Sequence, residues 1–273
     1  MSSHSGFPGA NADREEASYV LLGAPLDVSS TFEPGSRFGP RRIRHYATTF
    51  DDYDRRTDSR FTDLGVHDAG DLDAWDDAEE YLEFLKSELS DATREGAVPL
   101  LLGGEHTVSV AGVRAVDPDL FVCLDAHLDC RAEYTGNEYS HATTTARALD
   151  VADRAVILGA RTGSEAEWER ASENDVTVVP PEAVGEWTAE FGSEESIYLS
   201  VDIDAADPGF APGTGTKEPF GLTPRAMRQA IRQVAPDTAG FDVVEVNDRD
   251  DGQAAALAGK LLREFVYTHA ANR

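Results

Sequence analysis

The stretch FVCLDAHLDCR, Phe121–Arg131, decides how the rest of the chain is read. Its first half, Phe121–Leu124, has the apolar run of a buried strand. Its second half sets Asp125, His127 and Asp129 at alternate positions. An extended chain through these residues would place all three side chains on one face. A histidine met by chance in an acidic loop would explain one such cluster, but the pattern recurs. Ile197–Val201 runs into Asp202 and Asp204, Val98–Leu102 into Gly103–Gly104–Glu105–His106, and Phe241–Val244 into Glu245. Open parallel α/β sheets bind ligands outside the carboxyl ends of their strands. Four strand ends carrying His, Asp and Glu therefore predict one shared metal site.

Around these strands the pattern is that of an α/β domain. Tyr19–Gly23 reads as a first strand, followed by a Gly/Pro-rich loop and a helix near Arg41–Ala47. The glycine spacing of that loop fits neither a dinucleotide nor a P-loop motif, so it is read as a loop bordering the site. Trp75–Ser90 is amphipathic, with Tyr81, Leu82, Leu85 and Leu89 on its core face. Helices are expected from about Val108, over Ala142–Leu149, Glu165–Ser172 and Ala183–Glu190, from Pro224 to about Val234, and over Gln253–Val266. Further strands are expected at Ala155–Gly159 and Val176–Val179. No linker or repeat interrupts the series. Residues 18–273 are read as one domain, and the small polar residues 1–17 as a frayed tail.

The chain of 273 residues carries 51 acidic against 24 basic residues, a net charge of −27, and its only lysines are Lys86, Lys217 and Lys260. This excludes the basic footprint of a nucleic-acid binder. No apolar run reaches membrane-spanning length and the N-terminus lacks a signal-peptide layout, so no membrane is expected. Two cysteines, Cys123 and Cys130, are too few for a disulfide framework and fit a reducing cytoplasm. The acids are spread over the whole chain, a composition resembling that of halophile proteins. A negative field that steers a cationic substrate is the other reading.

GGEH (Gly103–His106), DAHLD (Asp125–Asp129) and SVDIDAADP (Ser200–Pro208) resemble the three signatures of the ureohydrolase family, which includes arginases and agmatinases. GAPLD with PGSRFGPRRIR (Gly23–Asp27, Pro34–Arg44), APGTGT (Ala211–Thr216) and FDVVEVN (Phe241–Asn247) resemble its other motifs in the same order, over nearly the whole chain. The resemblance implies a three-layer α/β/α sandwich around a mainly parallel sheet, with two manganese ions per chain. By motif position His106 and Asp129 would hold one ion, His127 and Asp204 the other, and Asp125 and Asp202 both. An oxygen-rich set of this kind suits manganese better than zinc.

The implied reaction is attack of a hydroxide shared by the ions on a guanidinium carbon. Asp129 would orient it and pass its proton on, Glu245 would pair with the guanidinium, and His141 would shuttle protons. Glu105 is expected to orient His106, and Asp207 to serve a turn. His4, His45, His67 and His269 match no motif. Lys217, Phe220 and the Ala160–Arg161–Thr162 run depart from the usual agmatinase pattern. The loop Cys130–Ser140 lacks the Ser-Gly-Asn run by which arginases hold the amino-acid head, and it carries Glu133 and Glu138. The expected substrate is thus a small cationic guanidine, agmatine first, with arginine, guanidinobutyrate and formimidoglutamate as alternatives. A non-catalytic metal-binding homologue is a further alternative. Arg131 is expected to pair with a neighbouring Glu rather than with a substrate carboxylate. The resemblance also implies a homo-oligomer, trimer or hexamer.

Overall fold

The computed structural model of the chain describes residues 6–192 and 195–273. The strands are β1 (Tyr19–Ala24), β2 (Tyr53–Asp54), β3 (Ser59–Arg60), β4 (Val66–Asp71), β5 (Val98–Gly103), β6 (Leu120–Leu124), β7 (Arg154–Leu158), β8 (Val176–Val179), β9 (Ile197–Asp202) and β10 (Thr238–Val244). The helices are α1 (Gly39–Ala47), α2 (Ala78–Arg94), α3 (Ser109–Val116), α4 (Thr144–Ala148), α5 (Glu165–Arg170), α6 (Pro181–Val184), α7 (Pro224–Val234) and α8 (Gln253–Ala270). Eight strands form one sheet in the order β4-β1-β5-β10-β9-β6-β7-β8, and β2 and β3 make a separate hairpin. Every pairing in the large sheet is parallel.

The alternation of β6 shows why helices must cover both faces. Leu120, Val122 and Leu124 join the core shared with Ile43 of α1, Met227 of α7 and Leu262 of α8. Phe121 and Cys123 point the other way, to Val113 of α3 and Ala148 of α4. A strand apolar on both faces is stable only when both are covered. The result is the three-layer α/β/α sandwich expected from the motifs.

Three expectations need correction. Residues 6–17 are packed, not frayed: Phe7 is 2% exposed and stands against Phe61, and Asn11 bridges to His67. An aromatic ring in an otherwise polar segment finds burial here that composition alone does not reveal. Residues 1–5, with His4, lie outside the described residues. The helix expected over Ala183–Glu190 is the single turn α6, Pro181–Val184, ending at Gly185. Finally, β6 stops at Leu124, so Asp125, His127 and Asp129 do not lie on an extended strand.

Candidate metal centre and substrate cleft

The four strands singled out from the sequence lie side by side as β5, β10, β9 and β6. Their carboxyl ends therefore open at one place. Where β6 ends, the main chain folds into a turn in which the His127 N–H donates to Asp125 Oδ1 at 2.7 Å. Asp129 then takes a left-handed conformation, φ 49°. The turn achieves by another route the convergence that an extended strand would have given. Glu245 is also left-handed, φ 60°, and its Oε1 accepts from the His106 N–H at 2.9 Å. Strained backbone of this kind persists where the surrounding structure fixes it. Gly104 has no alternative, since a Cβ there would lie 1.9 Å from the carbonyl oxygen of Leu26.

His106 Nδ1 lies 2.9 Å from Asp129 Oδ2, 3.1 Å from Asp125 Oδ2 and 3.6 Å from Asp202 Oδ2. His127 Nδ1 lies 3.0 Å from Asp204 Oδ2 and 3.5 Å from Asp125 Oδ1. Two groups of ligand atoms result, one with His106, Cys123 and Asp125 and the other with Asp125, His127 and Asp204. Asp125 belongs to both. Asp125, Asp129, Asp202 and Asp204 are all buried, and carboxylates packed this closely need positive charge among them. Burial first, then the charges of Asp204 and Asp125, holds the Asp202 carboxyl well above its ordinary range. Burial and the Asp125 charge push Asp129 up to about 7. Burial alone would lower the imidazole of His127, yet the charges of Asp204 and Asp125 hold it far above the usual histidine range. A donor set of four carboxylates and two imidazoles with this demand for cations fits hard divalent ions.

Several supporting residues were not visible in the sequence. His106 Nε2, on the side away from the carboxylates, meets Ser200 Oγ at 3.1 Å, and Ser200 donates to Asp242 at 2.6 Å. The Tyr198 hydroxyl donates to the other Asp242 oxygen at 2.8 Å. This buried chain fixes the ring so that Nδ1 faces the carboxylates. Glu105 does not touch the His106 ring. It accepts from the Ser29 N–H at 2.7 Å and hydroxyl at 2.9 Å, and Ser29 Oγ accepts from the His141 N–H at 2.9 Å. Glu105 thus acts through Ser29 on His141, a correction that follows from its side chain pointing to the β1–α1 loop. Cys123 donates weakly to Asp125 at 3.7 Å, and Cys130 to the Leu128 carbonyl at 3.2 Å. Both cysteines are free.

A cavity of about 480 Å³ opens over the centre, lined by His106, His127, Asp129 and Glu245 at its floor and by His141, Arg131 and Tyr134 on one wall. Burial, with the positive charge of His127 and His106, lowers His141 to about 4. It is therefore a neutral imidazole at neutral pH. Its ring stands edge-on to Tyr134 at 5.8 Å. Burial and the charge of Glu105 push Glu245 up to about 8. Arg131 pairs with Glu167 of α5 at 2.8 Å and lies over the Tyr134 ring at 5.0 Å. Its partner is a neighbour in space and not Glu133 or Glu138 of its own loop. Lys217 pairs with Glu33 at 2.8 Å, and Phe220 is 83% exposed. Asp207 serves its turn by accepting from the N–H groups of Gly209 and Phe220. His45 is exposed, His67 bonds the Ala12 carbonyl and His269 the Tyr19 hydroxyl, all away from the cleft.

Residues 17–267 match the arginase family. The chain belongs to that family. An N(1)-aminopropylagmatine ureohydrolase of Thermococcus kodakarensis is 35% identical over 261 residues, 91% of this chain and 89% of the relative. An agmatinase of Bacillus subtilis is 31% identical over 283 residues, 95% of this chain and 94% of the relative. The structure of the agmatine ureohydrolase of Thermoplasma volcanium superposes with a TM-score of 0.92 at 33% identity, covering 97% of this chain and 94% of that one. This arginase-family chain is a ureohydrolase, a hydrolase of linear amidines, and its site holds candidate ligand groups for metal. Among the described residues no helix is long and apolar enough to cross a membrane.

Proposed function

We propose that this ureohydrolase holds two manganese ions and hydrolyses agmatine to putrescine and urea. The observation that carries the reading is Asp125, whose two oxygens face two separate histidine-containing groups of ligand atoms. His106 and Asp129 would hold one ion, His127 and Asp204 the other, and Asp125 and Asp202 would serve both. When bound, such a pair of ions lowers the pKa of water toward neutrality and supplies a nucleophile for a resonance-stabilised guanidinium. Glu245, at the cleft floor, would give up its proton as the cationic guanidinium arrives, because that charge offsets the burial and the Glu105 charge that hold its carboxyl at about 8. It would then orient the substrate by charge-assisted hydrogen bonds. Asp129 would orient the attacking oxygen, accept the proton that oxygen releases and pass it toward the leaving nitrogen. His141, neutral and at the wall, exchanges protons between the cleft and solvent.

Substrate choice follows from Arg131. Among the described residues it is the one lysine or arginine that lines the cleft, and Glu167 already balances its charge. A substrate carboxylate would have to displace that acid, whereas an alkyl or aminoalkyl end does not. A longer aminoalkyl tail is a second reading. It is supported by the size of the cavity, within the range that holds larger ligands, and by the name of the Thermococcus relative. Urea release from agmatine, N(1)-aminopropylagmatine, arginine and 4-guanidinobutyrate, with saturating manganese, tests both. We expect kcat/KM for an amine-ended substrate to exceed that for either carboxylate-ended one by at least about tenfold, or roughly 1.4 kcal/mol. A carboxylate-ended substrate that matches agmatine would overturn the assignment, and release of urea from none of them would overturn the reaction.

The same reading places the enzyme in the cytoplasm, as a trimer or hexamer, in a cell with high internal salt. With a net charge of −27, screening of self-repulsion should favour the folded state. The melting temperature should therefore rise from low salt to molar potassium chloride. A flat or falling curve would end the halophilic interpretation.

A further inference from the structure

Arg161 lies between the two turns that carry metal ligands, and its hydrogen bonds go to main-chain carbonyls. Nη2 donates to the carbonyls of Asp204 at 2.9 Å and Glu218 at 2.6 Å. Nη1 donates to those of Gly159 at 3.1 Å and Ala205 at 3.2 Å, and Nε to that of Pro219 at 3.1 Å. The main-chain N–H of the same residue donates to the Ala126 carbonyl at 2.9 Å. Ala126 separates Asp125 from His127, and its own N–H donates to Asp204 Oδ1 at 3.1 Å. One residue therefore braces the turn bearing Asp125 and His127, the turn bearing Asp204, and the loop at Glu218. That loop brings Glu218 Oε1 to 4.0 Å from His127 Nε2, the nitrogen turned away from Asp204. Space for the guanidinium requires Gly221, where a Cβ would come within 2.6 Å of Arg161 Nη2. His106 and Asp129 have a different support, through Ser200 and Asp242.

We propose that Arg161 is a positioning residue for the His127–Asp204 half of the metal centre. It contributes no ligand atom. A planar fork of five N–H groups matches several carbonyls at once, and removing it leaves those acceptors unpaired and frees the turn at Asp204 and the loop at Glu218 to relax, while the main-chain bond to Ala126 stays. Ligand sets bind metal tightly only when held to within a fraction of an ångström. Lysine offers the charge without the fork, so it should replace arginine poorly.

The inference rests on the two-ion reading, and the experiment separates the two. Manganese is titrated into metal-free wild type, Arg161→Met and Arg161→Lys, and metal content is measured after desalting. Wild type should retain two ions. Arg161→Met should retain one, with the dissociation constant of the second raised about 10- to 100-fold, the range for loss of a group supporting a ligand. Arg161→Lys should show the same asymmetry to a smaller degree, and excess manganese should restore kcat in both. Hydrogen exchange on the metal-free proteins should be faster over residues 203–207 and 218–221 in the variants and unchanged at 105–108. Should Arg161→Met fail to fold, Arg161→Lys carries both measurements. Equal affinity for both ions in variants and wild type, or an equal loss at both sites, would overturn the proposal. If wild type binds a single ion, the two-ion reading fails, and the exchange comparison alone decides whether Arg161 holds these turns.

Discussion

Asp125→Asn should leave the purified protein unable to retain either metal ion. Its oxygens lie 3.1 Å from His106 Nδ1 and 3.5 Å from His127 Nδ1, so one substitution removes a ligand from both halves. Loss of a supporting residue costs about 10- to 100-fold in metal affinity, and loss of a ligand should exceed about 100-fold at each ion. Asp204→Asn, on one side only, should weaken one ion and spare the other. Metal analysis after desalting, with turnover at saturating manganese, checks both variants. Two tightly held ions and normal turnover in Asp125→Asn would remove the residue from its role.

Asp202→Asn separates metal binding from stability. Burial and the charges of Asp204 and Asp125 raise its carboxyl pKa, so the ionised form is disfavoured in the fold when no cation is present. The amide stands in for the neutral carboxyl and needs no proton taken up on folding. The metal-free variant should melt no lower than metal-free wild type, while the rise in melting temperature that bound metal gives wild type should be lost.

Glu245→Ala should lower kcat/KM for agmatine by about 2–5 kcal/mol, roughly 30- to several-thousand-fold, because it truncates one partner of a buried charge pair. Its metal content should stay at the wild-type value, since the hydrogen bond Glu245 accepts comes from the main-chain N–H of His106 rather than from the ring. Glu245→Gln keeps an acceptor for that N–H and loses only the charge. A large loss in both variants assigns the effect to pairing with the guanidinium. A loss in the alanine variant alone assigns it to bracing of His106. Wild-type kcat/KM in Glu245→Gln would show that the carboxylate does not meet the substrate.

Which segments could be read in advance follows from how their side chains are solvated. β5, β6, β9 and β10 are buried on both faces, so their sequences are continuous apolar runs that announce themselves. The edge strand β4, VHDAGD, has one fully buried residue and reads as polar loop. It is a strand because it pairs with β1, and its half-buried Asp68 is held by Arg44 at 2.8 Å. Nothing local signals that pairing. The packed segment around Phe7 is not legible for the same reason, since Phe61 is distant in sequence, whereas the hairpin of β2 and β3 pairs locally but has only two residues per strand, none of them buried.

By itself, the sequence determined the parallel α/β architecture and the candidate ligands His106, Asp125, His127, Asp129, Asp202 and Asp204. It did so because ligand type and strand-end position are local properties of the chain, and their order matches one family. The tertiary structure alone decided how those residues meet. It replaced the extended strand at Asp125–Asp129 with a turn. It gave the Glu105 carboxylate to Ser29 and the His106 ring to Ser200. It also paired Arg131 with Glu167, thirty-six positions away, and made Arg161 the brace between two ligand-bearing turns. A hydrogen bond between distant residues depends on side-chain direction and on which loops the fold brings together, and neither is written in the spacing of a motif.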